Sequence, residues 1–189
     1  MKNIAIFASG VGTNAESIIT YFQQRESMGA VTLVITNRDD AGVVRRAAAL
    51  GVECLIVPRD EFKDSATILK ILELHKIDII VLAGFLLMIP PALVDRYRGS
   101  IVNIHPALLP AFGGKGMYGR HVHEAVVASD ATETGITIHH VNEQYDDGDI
   151  IFQASVPVYP TDTPDDVAIK VRALELTHFA PVIARTFDL

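Results

Sequence analysis

The chain has 189 residues, of which 49% are hydrophobic, and carries a formal net charge of −7 at pH 7. This length predicts a single domain over residues 1–189, and the negative charge argues against a nucleic-acid partner while leaving room for a local phosphate pocket. Cys54 is the only cysteine, which excludes an internal disulfide and fits a reducing compartment.

The first half of the chain alternates between apolar runs and segments with helical spacing. The apolar runs lack strict alternation, which predicts strands buried on both faces, at Ile4–Ala8, Val31–Thr36, Cys54–Val57, Ile79–Ala83 and Ile101–Ile104. Helical spacing lies between them, for example over Ala41–Leu50 and Ser65–His75. This order predicts an α/β fold with a doubly wound, mostly parallel, Rossmann-like sheet and helices on both faces.

Two apolar stretches raise the question of a membrane or a signal peptide. The amino-terminal run Ile4–Phe7 is too short for the apolar part of a signal peptide. The stretch Ile79–Val94 falls short of a membrane span and contains Pro90 and Pro91. We therefore expect no membrane partner and a cytoplasmic location.

The last third of the chain has a different pattern. Two β-rich runs, Ile136–Val141 and Ile150–Val158, flank an acidic loop and predict an antiparallel C-terminal extension of the sheet. A final helix is then predicted with Thr163 as its N-cap, Pro164 at its first position and Asp166 in the capping-box position.

Asn103 and His105 are the most informative candidates for chemistry. They close the predicted strand Ser100–Ile104, and alternate side chains of extended backbone share a face, so an amide and an imidazole can converge on one reacting atom. Pro106 and Pro110 prevent the chain from continuing as a central strand or entering a helix. The carboxyl end of such a strand is where open α/β proteins bind ligands.

The turn Ser9–Ala15, which follows the first predicted strand, is typical of a phosphate site. Its glycines permit close backbone approach, and the next helix presents unpaired N–H groups, to which Thr13 and Asn14 can add side-chain donors. The turn also fits the dinucleotide pattern G-x-G-x-x-A, with Arg38 suited to a 2′-phosphate. A phosphate site, an NADP site and a purely structural turn all remain open here.

Two other patterns do not support the sites that they suggest. Gly113–Gly116 lacks the residue order of a nucleotide P-loop and is interpreted as a mobile loop near the site or a plain surface loop, before a helix over His121–Ala128. His139 and His140 precede an acidic loop, but adjacent strand residues point to opposite faces and cannot easily bind one metal ion. Tyr145 stands where an EF-hand loop needs Asp or Asn.

Four segments together resemble the folate-dependent formyltransferase superfamily, and within it the phosphoribosylglycinamide formyltransferase (glycinamide ribonucleotide transformylase) family. They are Ser9–Asn14, Leu82–Phe85, Asn103–Pro110 and Tyr145–Gly148. The Asn-x-His-Pro and Leu-Leu-Pro elements identify the superfamily alone, since formyltetrahydrofolate hydrolase and other formyltransferases share them. The phosphate turn and the short chain favour the glycinamide ribonucleotide enzyme.

The resemblance implies an enzyme that transfers the formyl group of 10-formyltetrahydrofolate, its co-substrate, to the amine of glycinamide ribonucleotide in purine biosynthesis, without a metal. The catalytic Asn, His and Asp of the family fall on Asn103, His105 and Asp146. Asn103 and a protonated His105 would hold the oxyanion, and Asp146 would favour the charged imidazole. The alternatives are formyltetrahydrofolate hydrolase, another folate-dependent formyltransferase, an NADP-dependent oxidoreductase and a carrier without turnover.

The resemblance also implies binding residues and a monomer or homodimer. The phosphate-binding turn falls on Gly12, Thr13 and Asn14, and Glu175 matches the glutamate that contacts the sugar. The folate pocket of the family falls on Leu87, Met88, Ile89, Val94 and Gln144.

Several positions depart from the family pattern, and others are candidate neighbours of the site. Leu87 stands where the family often has arginine, and Asp147 where its loop commonly has glycine. The stretch 111–119 is longer than in some relatives, and Lys63 is a candidate replacement for an arginine near the family's site. His121 and His139 are candidate neighbours of the site, with a packed, hydrogen-bonded histidine as the alternative for either.

Overall fold

The structure is a computed structural model that describes residues 1–25 and 28–189. Within these residues seven strands and seven helices form, in the order β1 (Lys2–Phe7), α1 (Thr13–Gln23), β2 (Gly29–Thr36), α2 (Gly42–Ala49), β3 (Glu53–Ile56), α3 (Arg59–Phe62), α4 (Ser65–Leu74), β4 (Ile79–Leu82), α5 (Pro91–Arg96), β5 (Ile101–His105), α6 (Arg120–Val127), β6 (Glu133–His140), β7 (Ile150–Pro157) and α7 (Pro164–Thr186). The predicted strand Ser100–Ile104 is shifted by one residue, because His105 itself pairs with Thr137 of β6.

The described strands form one sheet with the order β3-β2-β1-β4-β5-β6-β7. Neighbours from β3 to β5 are parallel, whereas β5–β6 and β6–β7 are antiparallel. This confirms the doubly wound, mostly parallel sheet and its antiparallel C-terminal extension. Strand order reverses between β1 and β4, and open α/β sheets bind ligands in the crevice at the carboxyl ends of such a pair.

Helices cover both faces of the sheet, and the strands supply apolar side chains to both. In β1, Ile4 and Ile6 belong to one core cluster, while Ala5 and Phe7 belong to the other, as period-two alternation requires. The first cluster takes its helical residues from α1, α2, α6 and α7, and the second from α3, α4 and α5. No helix of the described residues is both long and apolar enough to cross a membrane.

The start of α7 has the predicted capping box. The Thr163 hydroxyl accepts a hydrogen bond from the backbone N–H of Asp166, and the Asp166 carboxylate accepts one from the backbone N–H of Thr163. Pro164 occupies the first turn, where its missing N–H costs no hydrogen bond. Midway along this helix, Glu175 lies beside the turn that follows β1.

Candidate active site

A cavity of about 440 Å³ lies at the predicted crevice. Its lining comes from the turns after β1 and β4, the last residues of β5, the loop before α6, His123 of α6, the loop after β6, and α7. Segments that are far apart in sequence therefore face one space.

Asn103, His105 and Asp146 all line this cavity. Asn103 and His105 alternate on β5 and share a face, and the loop after β6 brings the Asp146 carboxylate to 3.5 Å from His105 Nδ1. His105 Nε2 lies 2.8 Å from the carbonyl oxygen of Phe112. Because a carbonyl only accepts, Nε2 carries a proton and Nδ1 is the nitrogen that faces the carboxylate.

The imidazole of His105 is neutral near pH 7 before a substrate binds. Burial lowers the pKa of His105, and the nearby Asp146 carboxylate and the Phe112 carbonyl offset that effect only in part, so the pKa stays below its ordinary value of 6.5. His105 is 3% exposed, so desolvation outweighs the effect of its carboxylate neighbour, and the protonated form expected to hold the oxyanion is not the resting form.

Asp146 is ionised and held by several groups. Burial raises the pKa of Asp146, but the groups around its carboxylate, among them the backbone N–H of Gly114, lower it by more, and it ends below its ordinary value of 3.8. The Gly114 N–H lies 3.0 Å from Asp146 Oδ2. The loop that carries Asp146 also packs tightly, since a Cβ at Gly148 would lie 1.7 Å from the carbonyl oxygen of His140.

His139 orients the side-chain amide of Asn103. Its Nδ1 donates to the carbonyl of His140 at 2.8 Å, which leaves Nε2 as the acceptor for the Asn103 amide nitrogen at 3.0 Å. The ring of His140 instead contacts Phe187, with ring centroids 6.5 Å apart. Adjacent histidines thus point to opposite faces, and the described residues contain no group of three or more His, Cys, Asp or Glu side chains that could hold a metal ion.

His123, rather than His121, is the histidine of α6 that lines the cavity. The His121 side chain is 64% exposed and lies outside the cavity lining, which corrects its assignment as a neighbour of the site. Burial lowers the pKa of His123, and His105 lowers it further. The helical period of α6 indicates that His123 faces inward, because it lies on the same side of the helix as the buried Val122 and Val126.

The glycine turn after β1 is shaped for close approach to a ligand. Gly12 has a φ of 84°, and a Cβ there would lie 2.6 Å from Val43, so only glycine fits. The helix α1 starts at Thr13 and has no side-chain cap, which leaves its first N–H groups available to an anion. Gly12, Thr13 and Asn14 all line the cavity.

Glu175 and Arg172 face the same cavity from α7. Burial raises the pKa of Glu175, while the amide of Asn14, which donates to it at 3.0 Å, and the charge of Arg172 offset part of this rise. Arg172 forms no salt bridge with any described residue, so its guanidinium can serve a ligand. Arg172 is not among the residues predicted from the sequence, although it precedes Glu175 by three positions, a spacing that puts both on one helix face.

A second, smaller cavity adjoins the first and shares Phe85, Asn103, Tyr145 and Asp146 with it. Four of the five residues assigned to the folate pocket line this cavity, namely Leu87, Met88, Ile89 and Gln144. The fifth does not, since Val94 is 1% exposed and packs in the core. The predicted position of Val94 in the folate pocket is wrong because α5 turns this side chain toward the sheet.

Two charged residues also lie away from both cavities. The Lys63 ammonium pairs with Asp60 at 3.0 Å, and its side chain is 71% exposed, so Lys63 does not replace the arginine of the family. Arg38 makes two hydrogen bonds to the Asp40 carboxylate, at 2.9 and 2.8 Å. An arginine that selects a 2′-phosphate must face the cavity, so this geometry does not favour an NADP site.

Comparison with known proteins identifies the family. The formyl transferase family matches residues 2–183. The chain belongs to this family. It is 35% identical over 187 residues to the phosphoribosylglycinamide formyltransferase of Haemophilus influenzae, and the alignment covers 97% of this chain and 86% of that protein. The crystal structure of the Bacillus halodurans phosphoribosylglycinamide formyltransferase is similar, with a TM-score of 0.89, 34% identity and coverage of 97% and 94% of the two chains.

Plant relatives are longer than this chain. Identity reaches 41% over 175 residues with the chloroplastic phosphoribosylglycinamide formyltransferase of Arabidopsis thaliana, and the match covers 90% of this chain. The chain spans 60% of that protein and 56% of the Vigna unguiculata counterpart.

Two of the buried histidines, His105 and His123, predict a pH-dependent stability. Burial holds the folded-state pKa values of His105 and His123 below 6.5, so on acidification the unfolded chain binds protons first. Their stabilising contribution is complete above about pH 6.5 and is lost as the pH falls through the folded-state values, with a slope of at most about 1.4 kcal/mol per pH unit for each ring. Urea unfolding between about pH 7.5 and pH 5 measures this slope.

A matched pair of variants identifies the residues responsible. His123→Gln is expected to reduce the slope, whereas His121→Gln, at an exposed position of the same helix, keeps it. Equal slopes for wild type and His123→Gln would contradict the assignment.

Proposed function

We propose that this protein is a phosphoribosylglycinamide formyltransferase, which transfers the formyl group of 10-formyltetrahydrofolate to the amine of glycinamide ribonucleotide in purine biosynthesis. One observation carries the proposal: the amide of Asn103, the imidazole of His105 and the carboxylate of Asp146 line a cavity that also contains the glycine turn. The names of the similar proteins agree with it.

The ribonucleotide is proposed to bind between the glycine turn and α7. The free N–H groups at the start of α1 and the side chains of Thr13 and Asn14 suit its phosphate. Arg172, which forms no salt bridge with a described residue, adds a positive charge. Glu175 is then available to accept hydrogen bonds from the sugar hydroxyls.

The folate is proposed to occupy the second cavity. Its apolar wall of Leu87, Met88 and Ile89 suits a flat ring system, and Gln144 offers polar groups to the ring edge. Since Asn103 and Asp146 border both cavities, a formyl group carried by the folate would meet the ribonucleotide amine at their junction.

The proposed reaction begins with attack of the amine on the formyl carbon, which gives a tetrahedral oxyanion. The amide of Asn103, oriented by His139, donates to that oxyanion. Neutral His105 accepts the proton that the amine loses, at Nδ1, and Asp146 stabilises the resulting imidazolium. The intermediate collapses when the N10–carbon bond breaks, and the proton passes to N10, so that charge and protons balance.

Residues 1–189 are proposed to act as one formyltransferase domain, supported by a family match that spans nearly the whole chain. A cytoplasmic location and a monomeric or homodimeric state stay predictions.

Tetrahydrofolate release should depend on the ribonucleotide. We expect 10-formyltetrahydrofolate to be converted to tetrahydrofolate, followed by absorbance, only when glycinamide ribonucleotide is present, because the amine is the nucleophile. Release at the same rate without the amine would identify a hydrolase. Tight NADPH binding with no folate affinity would instead identify an oxidoreductase.

Two variants test the catalytic assignment. His105→Ala and Asp146→Asn are each expected to lower kcat by about 100-fold or more, since groups that stabilise developing charge in comparable sites have effects of this size. His121→Ala, outside the cavity, is the control and should keep kcat. If either site variant stays folded by circular dichroism and retains activity within a few-fold, its catalytic role is refuted.

Binding measurements test the phosphate site. Arg172→Gln is expected to raise the Kd for glycinamide ribonucleotide about tenfold, the effect of losing one charge-assisted hydrogen bond, and to leave the Kd for folate unchanged. Replacing Thr13 and Asn14 should act in the same direction. Arg185→Gln on the same helix is the matched control, and equal ribonucleotide affinity in both arginine variants would remove Arg172 from the site.

A further inference from the structure

Ser9 is a buried residue that joins three segments of the chain. Its hydroxyl donates to the Asn37 side-chain oxygen at 2.5 Å and accepts from the backbone N–H of Leu86 at 3.0 Å. The direction of both bonds is fixed, because an amide oxygen only accepts and a backbone N–H only donates. Ser9 is 2% exposed and is not among the described residues that line either cavity.

These bonds fasten the ends of neighbouring parallel strands to one another. Ser9 opens the glycine turn after β1, Asn37 follows β2, and Leu86 lies in the turn after β4. The backbone adds to the connection, since the Ser9 N–H donates to the carbonyl of Gly84 at 3.0 Å. One residue therefore sets the spacing between the turn after β1 and the turn after β4.

That spacing separates the two proposed substrate sites. The glycine turn is the proposed phosphate site, and Leu86 directly precedes the wall of the folate cavity. Resting on the proposed function, we propose that Ser9 is a positioning residue whose hydroxyl fixes the two substrate-binding turns at the distance that formyl transfer requires. Ser9 touches neither substrate, so its effect falls on their relative placement, where an error of about 1 Å costs about 100-fold in rate.

Removing the hydroxyl should separate catalysis from binding. Ser9→Ala leaves the Leu86 N–H and the Asn37 oxygen without their partner, while each turn keeps its own contacts to one substrate. We expect kcat for formyl transfer to fall about tenfold or more. The Kd values for ribonucleotide alone and for folate alone, measured by calorimetry, are expected to change by less than about threefold. Thr134→Val, which removes another buried hydroxyl far from the site, is the control and keeps wild-type kcat.

A double-mutant cycle tests whether Asn37 acts through Ser9. Asn37→Ala alone should lower kcat with little change in either Kd. The double variant should be no slower than Ser9→Ala, because the hydrogen bond between Ser9 and Asn37 is already absent from that single variant. Unchanged kcat in folded Ser9→Ala, a loss confined to substrate affinity, or multiplicative effects in the cycle would overturn the proposal.

The test also covers a Ser9→Ala variant that does not fold and a wild-type protein that does not transfer the formyl group. If Ser9→Ala does not fold, Asn37→Ala alone decides, since it must show the same loss of kcat without loss of affinity. If wild-type protein does not transfer the formyl group, the proposed function fails first, whereas active wild type with fully active variants refutes only the role of Ser9.

Discussion

The hydrogen bond from His105 Nε2 to the Phe112 carbonyl is the contact on which the site depends. It fixes the tautomer of a buried ring and leaves Nδ1, without a proton at rest, facing Asp146. An ionised carboxylate beside an unprotonated ring nitrogen stabilises the protonated, charged form of that ring. In the proposed mechanism, the burial that keeps His105 neutral makes it the proton acceptor, and Asp146 stabilises the imidazolium that results.

Much of this arrangement could be predicted from the sequence, because it depends on local pattern. Doubly buried strands appear as unbroken apolar runs, and the alternation of Asn103 and His105 puts both on one face whatever the rest of the chain does. The capping box at Thr163 is also local and was confirmed. In each case a few neighbouring residues contain the whole signal.

The remainder depends on contacts between distant segments, which local pattern does not contain. The charge state of His105 is set by burial under the loop that contains Phe112, and a sequence does not reveal how deeply a ring is buried. Family resemblance predicts Val94 in a binding pocket, but the rotation of α5 about its axis turns that residue into the core. The presence of Arg172 in the cavity lining is not predictable from local pattern, because it depends on which face of α7 borders the crevice.

The orientation of Asn103 depends on strand register as much as on residue type. Asn103 and His139 are directly opposite in the antiparallel β5–β6 pair, so the imidazole of one strand meets the amide of the other. A slip of one residue would bring Ile138 or His140 opposite Asn103 and turn every side chain of β6 to the other face. Gly135 restricts that slip from the β7 side, since a Cβ there would lie 1.9 Å from the carbonyl oxygen of Ala154, and only glycine permits this approach of the two strands. A residue without a side chain, outside the cavity, thereby helps to determine where the Asn103 amide points.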